Sequence, residues 1–405
     1  MIHRAMPNTS APGRWRALAI LALALAFGMS PWFSATAVIP QLRDEWELSR
    51  NASAWLTIAV QLGFVAGALL SSVGNVADLL PPRLVILAGS IGAAVANLAV
   101  AAADGAGAAI PLRALTGFFL AGVYPPAFKL MATWFRRRRA FALGTLAGAI
   151  CVGSAAPHFV NGVGGLDWHV VVYATSALTT AGGLLAWRFV PEGPYPFPRA
   201  PFDPRQVGLV LHNRGVRLAS LGYFGHMWEL FAMWAWFLLF FRDGHGAGGR
   251  EAAFVTFSVI AVGGVSCVVG GLVAEKFGRA ETAAVALAVS AVCALSIGLL
   301  VDVPTWLVLV VGLVWGFAVI PDSALFSTLV TEHADQSYVG TALSLQLAIG
   351  FALTVATIWL IPIFEETLGW RWAFAFLAPG PVLGVVAMLR LRASPEAASV
   401  AGGGG

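Results

Sequence analysis

The chain has 405 residues, 59% of them hydrophobic and 11% charged, with a mean hydropathy of +0.81. A soluble domain carries roughly 25% charged residues. The composition therefore excludes a soluble enzyme, a disordered scaffold and a collagen-like fibre, and leaves a polytopic α-helical membrane protein. The net charge of +4 sits mostly in short loops, so it reads as membrane topology and not as nucleic-acid binding. Long apolar runs also argue against a β-barrel, whose strands are short and alternating.

A spanning helix needs about 20 mostly apolar residues. Twelve such runs are predicted, at 15–39, 55–76, 84–103, 112–135, 140–159, 169–189, 216–241, 252–274, 282–301, 306–331, 338–363 and 372–389. The first is too long for a cleavable signal peptide and lacks a small-residue cleavage motif. The Gly402–Gly405 tail is set aside. The proline-rich stretch 191–215 divides the runs into two sets of six. The expected organisation is an N-terminal segment 1–14, a six-helix bundle 15–190, a connection 191–215, a second bundle 216–392 and a tail 393–405. With both termini and the 191–215 connection cytoplasmic, 17 of the 24 Lys and Arg residues lie inside. Arg43, Arg50, Arg113, Arg242, Arg250 and Arg371 fall on the other side, and Lys129 falls within a span. That asymmetry follows the positive-inside rule. The expected location is a bacterial plasma membrane. The dense Arg136–Arg139 run is a topology anchor.

The two sets repeat. An offset of 197 carries Gly74 onto Gly271, Asp78 onto Glu275 and Phe27-Gly28 onto Phe224-Gly225. Pro125 meets Pro321 at an offset of 196, and Trp168 meets Trp370 at 202. Parallel repeats of this kind are a transporter plan, with substrate held between the halves near the midplane.

The loop Gly271-Leu-Val-Ala-Glu275-Lys276-Phe-Gly278-Arg279 resembles the signature loop of the major facilitator superfamily. The first-half copy keeps Gly74, Asp78 and Arg83 but has Leu79 and Pro81 where the family has a basic residue and Gly. Arg113-Ala-Leu-Thr-Gly117 and Gly369-Trp-Arg-Trp372 are similar to further family motifs. The resemblance covers residues 15–390. It implies an all-α membrane protein of twelve transmembrane helices as two six-helix pseudo-repeats. It also implies alternating access, and a cavity lined by helices 1, 4, 7 and 10.

Other motifs are incidental. Gly244-His-Gly246-Ala-Gly248-Gly249 fits a nucleotide fingerprint but follows a membrane helix, so it reads as a flexible loop. Gly144, Gly153 and Pro157 are half of the family's antiporter motif, with Ala156 and Val160 at the remaining places, and read as close helix packing. No P-loop or hydrolase motif occurs, so neither an enzyme nor ATP-driven transport is expected. Cys151, Cys267 and Cys293 have no metal-ligand spacing, and neither metal nor cofactor is expected.

Ionisable groups in hydrocarbon are costly and mark function. Glu229 lies mid-helix with His226 one turn before it, and both are expected to face the cavity. Lys129 and Asp322, placed within a turn of each other by the proline alignment, form an interdomain gate or bind an anionic substrate; Lys129 alternatively snorkels. Arg113 starts helix 4 as an interface anchor or a coupling residue. Gln61, Tyr124, His158, Ser323 and Gln346 read as interhelical hydrogen-bonding groups, and Tyr124 also stands with Trp32 and Trp228 among the candidate substrate-binding residues. Trp32, Trp228 and Trp234 suggest an aromatic-walled cavity, and Trp236 is expected to face lipid.

The resulting expectation is a monomeric, proton-coupled secondary transporter of a small organic or inorganic anion. The alternatives are a proton-driven exporter of amphipathic drugs or metabolites, and a non-transporting receptor or assembly factor on the same fold.

Overall fold

A computed structural model of the chain describes residues 11–74, 79–135, 138–165, 167–195, 203–335 and 337–394. The spanning segments, numbered along the chain, begin with α1, Arg14–Gly28, which resumes as a short helix at Ile39–Trp46. There follow α2 Arg50–Val73, α3 Pro82–Ala102, α4 Ala106–Ala132, α5 Phe141–Val163 and α6 Trp168–Phe189. The second set is α7 Arg214–Gly244, α8 Gly249–Phe277, α9 Arg279–Leu300, α10 Thr305–His333, α11 Val339–Leu368 and α12 Trp370–Arg392. Among the described residues, α2 to α12 are each long and apolar enough to cross a bilayer. The twelfth span is α1, interrupted after 15 residues. Val95, Val292 and Leu383 stay on the surface, where lipid rather than water suits them.

The repeat seen in the sequence reappears as packing. In the first half α1 packs on α5 and α6, α2 on α4, and α3 on α6. In the second, α7 packs on α11 and α12, α8 on α10, and α9 on α12. Small residues make the closest approaches possible. A Cβ at Gly117 would strike the Val60 carbonyl oxygen between α4 and α2. A Cβ at Gly316 would strike that of Val259 between α10 and α8. The halves meet along α5 with α8 and α2 with α11. Gly148 lies against the Gly264 carbonyl in the first seam, and Gly153 against the Ala26 carbonyl of α1, so the glycines of α5 serve close packing.

Three spans are broken where the sequence withdraws backbone donors or restricts the chain. Proline has no N–H and disfavours helix in the residue before it. α1 stops at Gly28, and Pro31 lies in the turns that follow. α4 turns at residues 121–123, and Pro125-Pro126 open its second part, Tyr124–Ala132. α10 turns at residues 319–322 around Pro321 and resumes as Ser323–His333. The alignment of Pro125 with Pro321 thus superposes two equivalent kinks, while α7 runs unbroken where α1 is broken.

The ends of the inter-half connection are tied to both halves. Gly193 N donates to Thr133 Oγ1 at 2.8 Å and Tyr195 N to Thr133 O at 3.0 Å, on α4. Asp203 N donates to Thr341 Oγ1 of α11 at 2.9 Å.

Candidate functional site

The break in α1 frees backbone carbonyls, and buried carbonyls need donors. Arg113 of α4 supplies them. Its guanidinium donates to Trp32 O at 2.6 Å, Pro31 O at 2.8 Å and Leu56 O at 3.3 Å. It also donates to Ser34 Oγ at 2.9 Å and Asn97 Oδ1 at 3.1 Å. Arg113 is 0% exposed. This corrects the expectation of an anchor at a helix start: the helix begins at Ala106, so Arg113 lies two turns inside it.

Where the halves face each other, aromatic rings from both converge. Trp32 lies 4.9 Å from Phe64, 5.8 Å from Phe231 and 6.0 Å from Phe351, between ring centroids. Phe33 lies 5.8 Å from Trp234 and 6.2 Å from Phe231. Phe64 and Phe351 are 4.8 Å apart, and Tyr124 stacks on Phe64 at 6.0 Å. Trp32, Phe33, Phe64 and Tyr124 belong to the first half; Phe231, Trp234 and Phe351 belong to the second. The indole nitrogens of Trp32 and Trp234 are buried and have no hydrogen-bond partner among the described residues. The phenylalanines carried no signal in the sequence, because Phe is ordinary in any apolar helix.

Two tryptophans depart from expectation. Trp228 packs on Phe376 and Gly380 of α12, away from the ring cluster. Trp236 does not face lipid: it is 2% exposed and donates to Ile358 O of α11 at 3.0 Å.

The ionisable groups of the second half divide into two sets. Glu229 does not face the space between the halves as expected. It accepts hydrogen bonds from Ser290 Oγ of α9 at 2.7 Å and Trp315 Nε1 of α10 at 2.6 Å, inside its own bundle. His226 Nδ1 lies 3.0 Å from Asp322 Oδ1, joining α7 to the kink of α10. Asp322 is therefore partnered by His226 within the same half, in place of the expected Lys129. Lys129 is half-buried on the second part of α4. The reason for both corrections is rotational: sequence spacing gives a depth along a helix but not the direction a side chain points.

Gln61 and His158 also depart from the expected interhelical bonds. Neither amide atom of Gln61 and neither ring nitrogen of His158 has a hydrogen-bond partner among the described residues, and the same holds for Gln346 Nε2. The Gly244–Gly249 loop is less free than expected, since His245 Nδ1 lies 3.0 Å from Val301 O and Nε2 lies 3.0 Å from Thr305 Oγ1.

The signature loop is tied within the second half. Gly271, Glu275 and Lys276 end α8, and Gly278 turns the chain at φ 98°, a conformation that favours glycine. Arg279 pairs with Glu332 of α10 at 2.5 Å, and Glu281 with Arg392 of α12 at 3.0 Å. In the first-half copy Gly74 caps α2 and Arg83 opens α3, while Asp78 lies outside the described residues.

At the opposite end of the bundle the halves are joined directly. Arg50 of α2 pairs with Glu365 of α11, and Trp359 Nε1 donates to Asn51 Oδ1 at 3.0 Å. Arg250 Nε of α8 donates to Gly162 O of α5 at 3.1 Å. Near these ties a cavity of about 250 Å³ is lined by Gln41, Asp44, Asn161 and Arg242 among others.

Two six-helix sets with the same internal packing order, meeting at a buried seam of rings and polar groups, define a secondary transporter fold. The Major Facilitator Superfamily model matches residues 18–357, and the chain belongs to that family. It is a multi-pass integral membrane protein with a transporter's architecture. It is 30% identical over 209 residues to the multidrug efflux pump LfrA of Mycolicibacterium smegmatis, covering 50% of this chain and 40% of the relative. It is 24% identical over 304 residues to the gallate transporter of Pseudomonas putida, covering 65% of this chain and 66% of that protein. The match thus spans less than two thirds of either relative's length. The D-xylose-proton symporter superposes with a TM-score of 0.74 at 14% identity, over 93% of this chain and 97% of that one.

Proposed function

We propose that the chain moves a small organic molecule with a planar apolar body and a hydrogen-bond acceptor, coupled to protons, by alternating access. Residues 15–190 and 216–392 form the two moving units. Both termini and the 191–215 connection are cytoplasmic, in a bacterial plasma membrane, and the functional unit is the monomer.

The observation that carries this reading is the ring cluster drawn from both halves, with the Trp32 and Trp234 indole N–H groups left without acceptors. Aromatic pairs contribute about 0.5–1.5 kcal/mol beyond burial. A planar ligand that enters as the halves rock can replace the ring–ring contacts with ring–ligand contacts. An acceptor on that ligand satisfies an indole donor that is costly to leave buried and unpaired. The Arg113 guanidinium is already spent on α1, which weakens the case for an inorganic anion. Similarity to a multidrug efflux pump and to a gallate transporter fits an aromatic cargo, gallate being an aromatic carboxylate. Tyr124 and Trp32 are the binding residues retained from the sequence. Lys129, on the same span as Tyr124, is the cation that a carboxylate cargo would meet.

The test is counterflow in proteoliposomes with benzoate, the planar dye ethidium, and inorganic phosphate as separate probes. Benzoate or ethidium is expected to exchange, and Phe231→Ala to weaken that exchange about two- to tenfold, the loss of one stacking contact. Exchange of phosphate alone, unaffected by Phe231→Ala, would overturn the reading.

A further inference from the structure

Resting on the proton-coupled reading above, the geometry separates the buried ionisable groups of the second half by what each can do. Glu229 is held by two donors from two other helices, Ser290 of α9 and Trp315 of α10. It is fixed in place, and no other carboxylate or imidazole shares its hydrogen bonds. His226 and Asp322 are held differently. Each is 1% exposed, and their facing atoms lie 3.0 Å apart. His226 Nδ1, His226 Nε2 and Asp322 Oδ1 have no hydrogen-bond partner among the described residues, so the 3.0 Å approach is a close contact whose angles do not make a hydrogen bond. Asp322 also stands at the N-cap of Ser323–His333, where a carboxylate ordinarily caps its own helix. Its side chain makes no capping bond and faces the imidazole instead.

A neutral His beside an ionised Asp leaves one uncompensated charge in a low-dielectric interior, which is costly. One added proton removes that cost. The proton sits on the imidazole, giving an ion pair, or on the carboxyl, giving two neutral groups. In either form the pair is neutral overall. When water reaches it, the lone carboxylate is solvated and the proton can leave. The α10 kink at residues 319–322 places Asp322 on a joint, whereas His226 rides on unbroken α7. Motion of Ser323–His333 against α7 changes the separation of the two groups and their access to water.

The titratable groups around the pair are few in kind. Tyr223 lies one turn before His226 on α7, its ring 6.1 Å away, and Glu229 lies one turn after it. Cys267 Sγ of α8 lies 4.0 Å from Ile320 O at the α10 kink, and Cys151 Sγ of α5 lies 4.0 Å from that thiol. Cys293 of α9 lies on the Glu229 side. Of these, only Glu229 is a carboxylate, and its two oxygens are already engaged.

We propose that His226 and Asp322 together form the proton-carrying site, sharing one proton taken from water on one side of the membrane and released on the other. Glu229 is a fixed structural carboxyl.

The experiment compares Asp322→Asn, His226→Gln and Glu229→Gln in proteoliposomes, using whichever of benzoate and ethidium the wild type exchanges. Counterflow at equal pH reads binding and rocking. Accumulation under an imposed gradient reads coupling, worth up to about tenfold per pH unit for each coupled proton. Asp322→Asn and His226→Gln should keep counterflow and lose the gradient-driven excess. Glu229→Gln should keep both. Because Asp322→Asn can fail to fold, the exchange variant His226→Asp with Asp322→His is included; it retains both groups and should restore accumulation. Loss of accumulation in Glu229→Gln, or its survival in His226→Gln, would overturn the assignment. A wild type that exchanges the probe but never accumulates it would instead refute the proton-coupled reading on which the assignment rests.

Discussion

Replacing Arg113 with Ala should unfasten the first span at its break. The side chain donates to five oxygens, and two of them, Pro31 O and Trp32 O, belong to the interrupted stretch of α1. Ser34 and Asn97 keep one another, since Ser34 Oγ donates to Asn97 Oδ1 at 2.6 Å. Pro31 O keeps Ser34 N as a donor at 3.3 Å, so the loss falls mainly on the Trp32 carbonyl. A buried acceptor left unpaired costs about 1–3 kcal/mol. At 1.4 kcal/mol per factor of ten, local opening of residues 29–38 should become at least about fivefold more frequent. Amide hydrogen exchange in detergent reads this directly, with peptides of α9 as the internal reference. Arg113→Lys should fall between, because one ammonium cannot span carbonyls that a planar fork reaches together. Unchanged protection over residues 29–38 in Arg113→Ala would refute the idea that this side chain holds the break.

Two further perturbations follow from packing. Gly63→Leu should yield no monodisperse protein by size-exclusion chromatography, because its Cβ would occupy the place of the Ala114 carbonyl; Gly107→Ala, with open space around it, should behave as wild type. Trp315→Phe should lower the apparent melting temperature by removing a donor worth about 1 kcal/mol, and adding Ser290→Ala should lower it further; melting unchanged in both would mean that Glu229 is not held inside the bundle.

The parts of the molecule that sequence makes legible are those set by period, composition and proline. Apolar runs locate the spans, and the near-constant offsets expose the repeat because a duplicated backbone keeps its glycines and prolines. Pro125 and Pro321 mark both kinks for that reason. Direction is not legible. A helix places Glu229 at a depth, but whether its carboxyl turns toward the cavity or toward Ser290 depends on rotation by neighbours far away in the chain. Boundary error has the same effect on Arg113: a start at residue 112 makes it terminal, whereas the true start at Ala106 buries it. The His226–Asp322 pair joins residues 96 apart on different helices, and no local pattern connects them. Trp32 is the residue where depth and direction agree, since the break in α1 and its ring neighbours both hold it at the seam.

Under alternating access, cargo is expected to pass only when the two halves part at the end where Arg50 and Glu365 join them. Asn51 and Trp359 also meet there, 3.0 Å apart and one from each half. Asn51→Cys and Trp359→Cys, in a background with Cys151, Cys267 and Cys293 replaced by Ala, joined by a reducible bis-methanethiosulfonate linker that spans the room left by the indole and amide, would bolt that end. Counterflow of benzoate or ethidium is the measurement. Cross-linking is expected to abolish counterflow, and reduction with dithiothreitol to restore it. Full-rate counterflow through protein shown by gel shift to be cross-linked would contradict it.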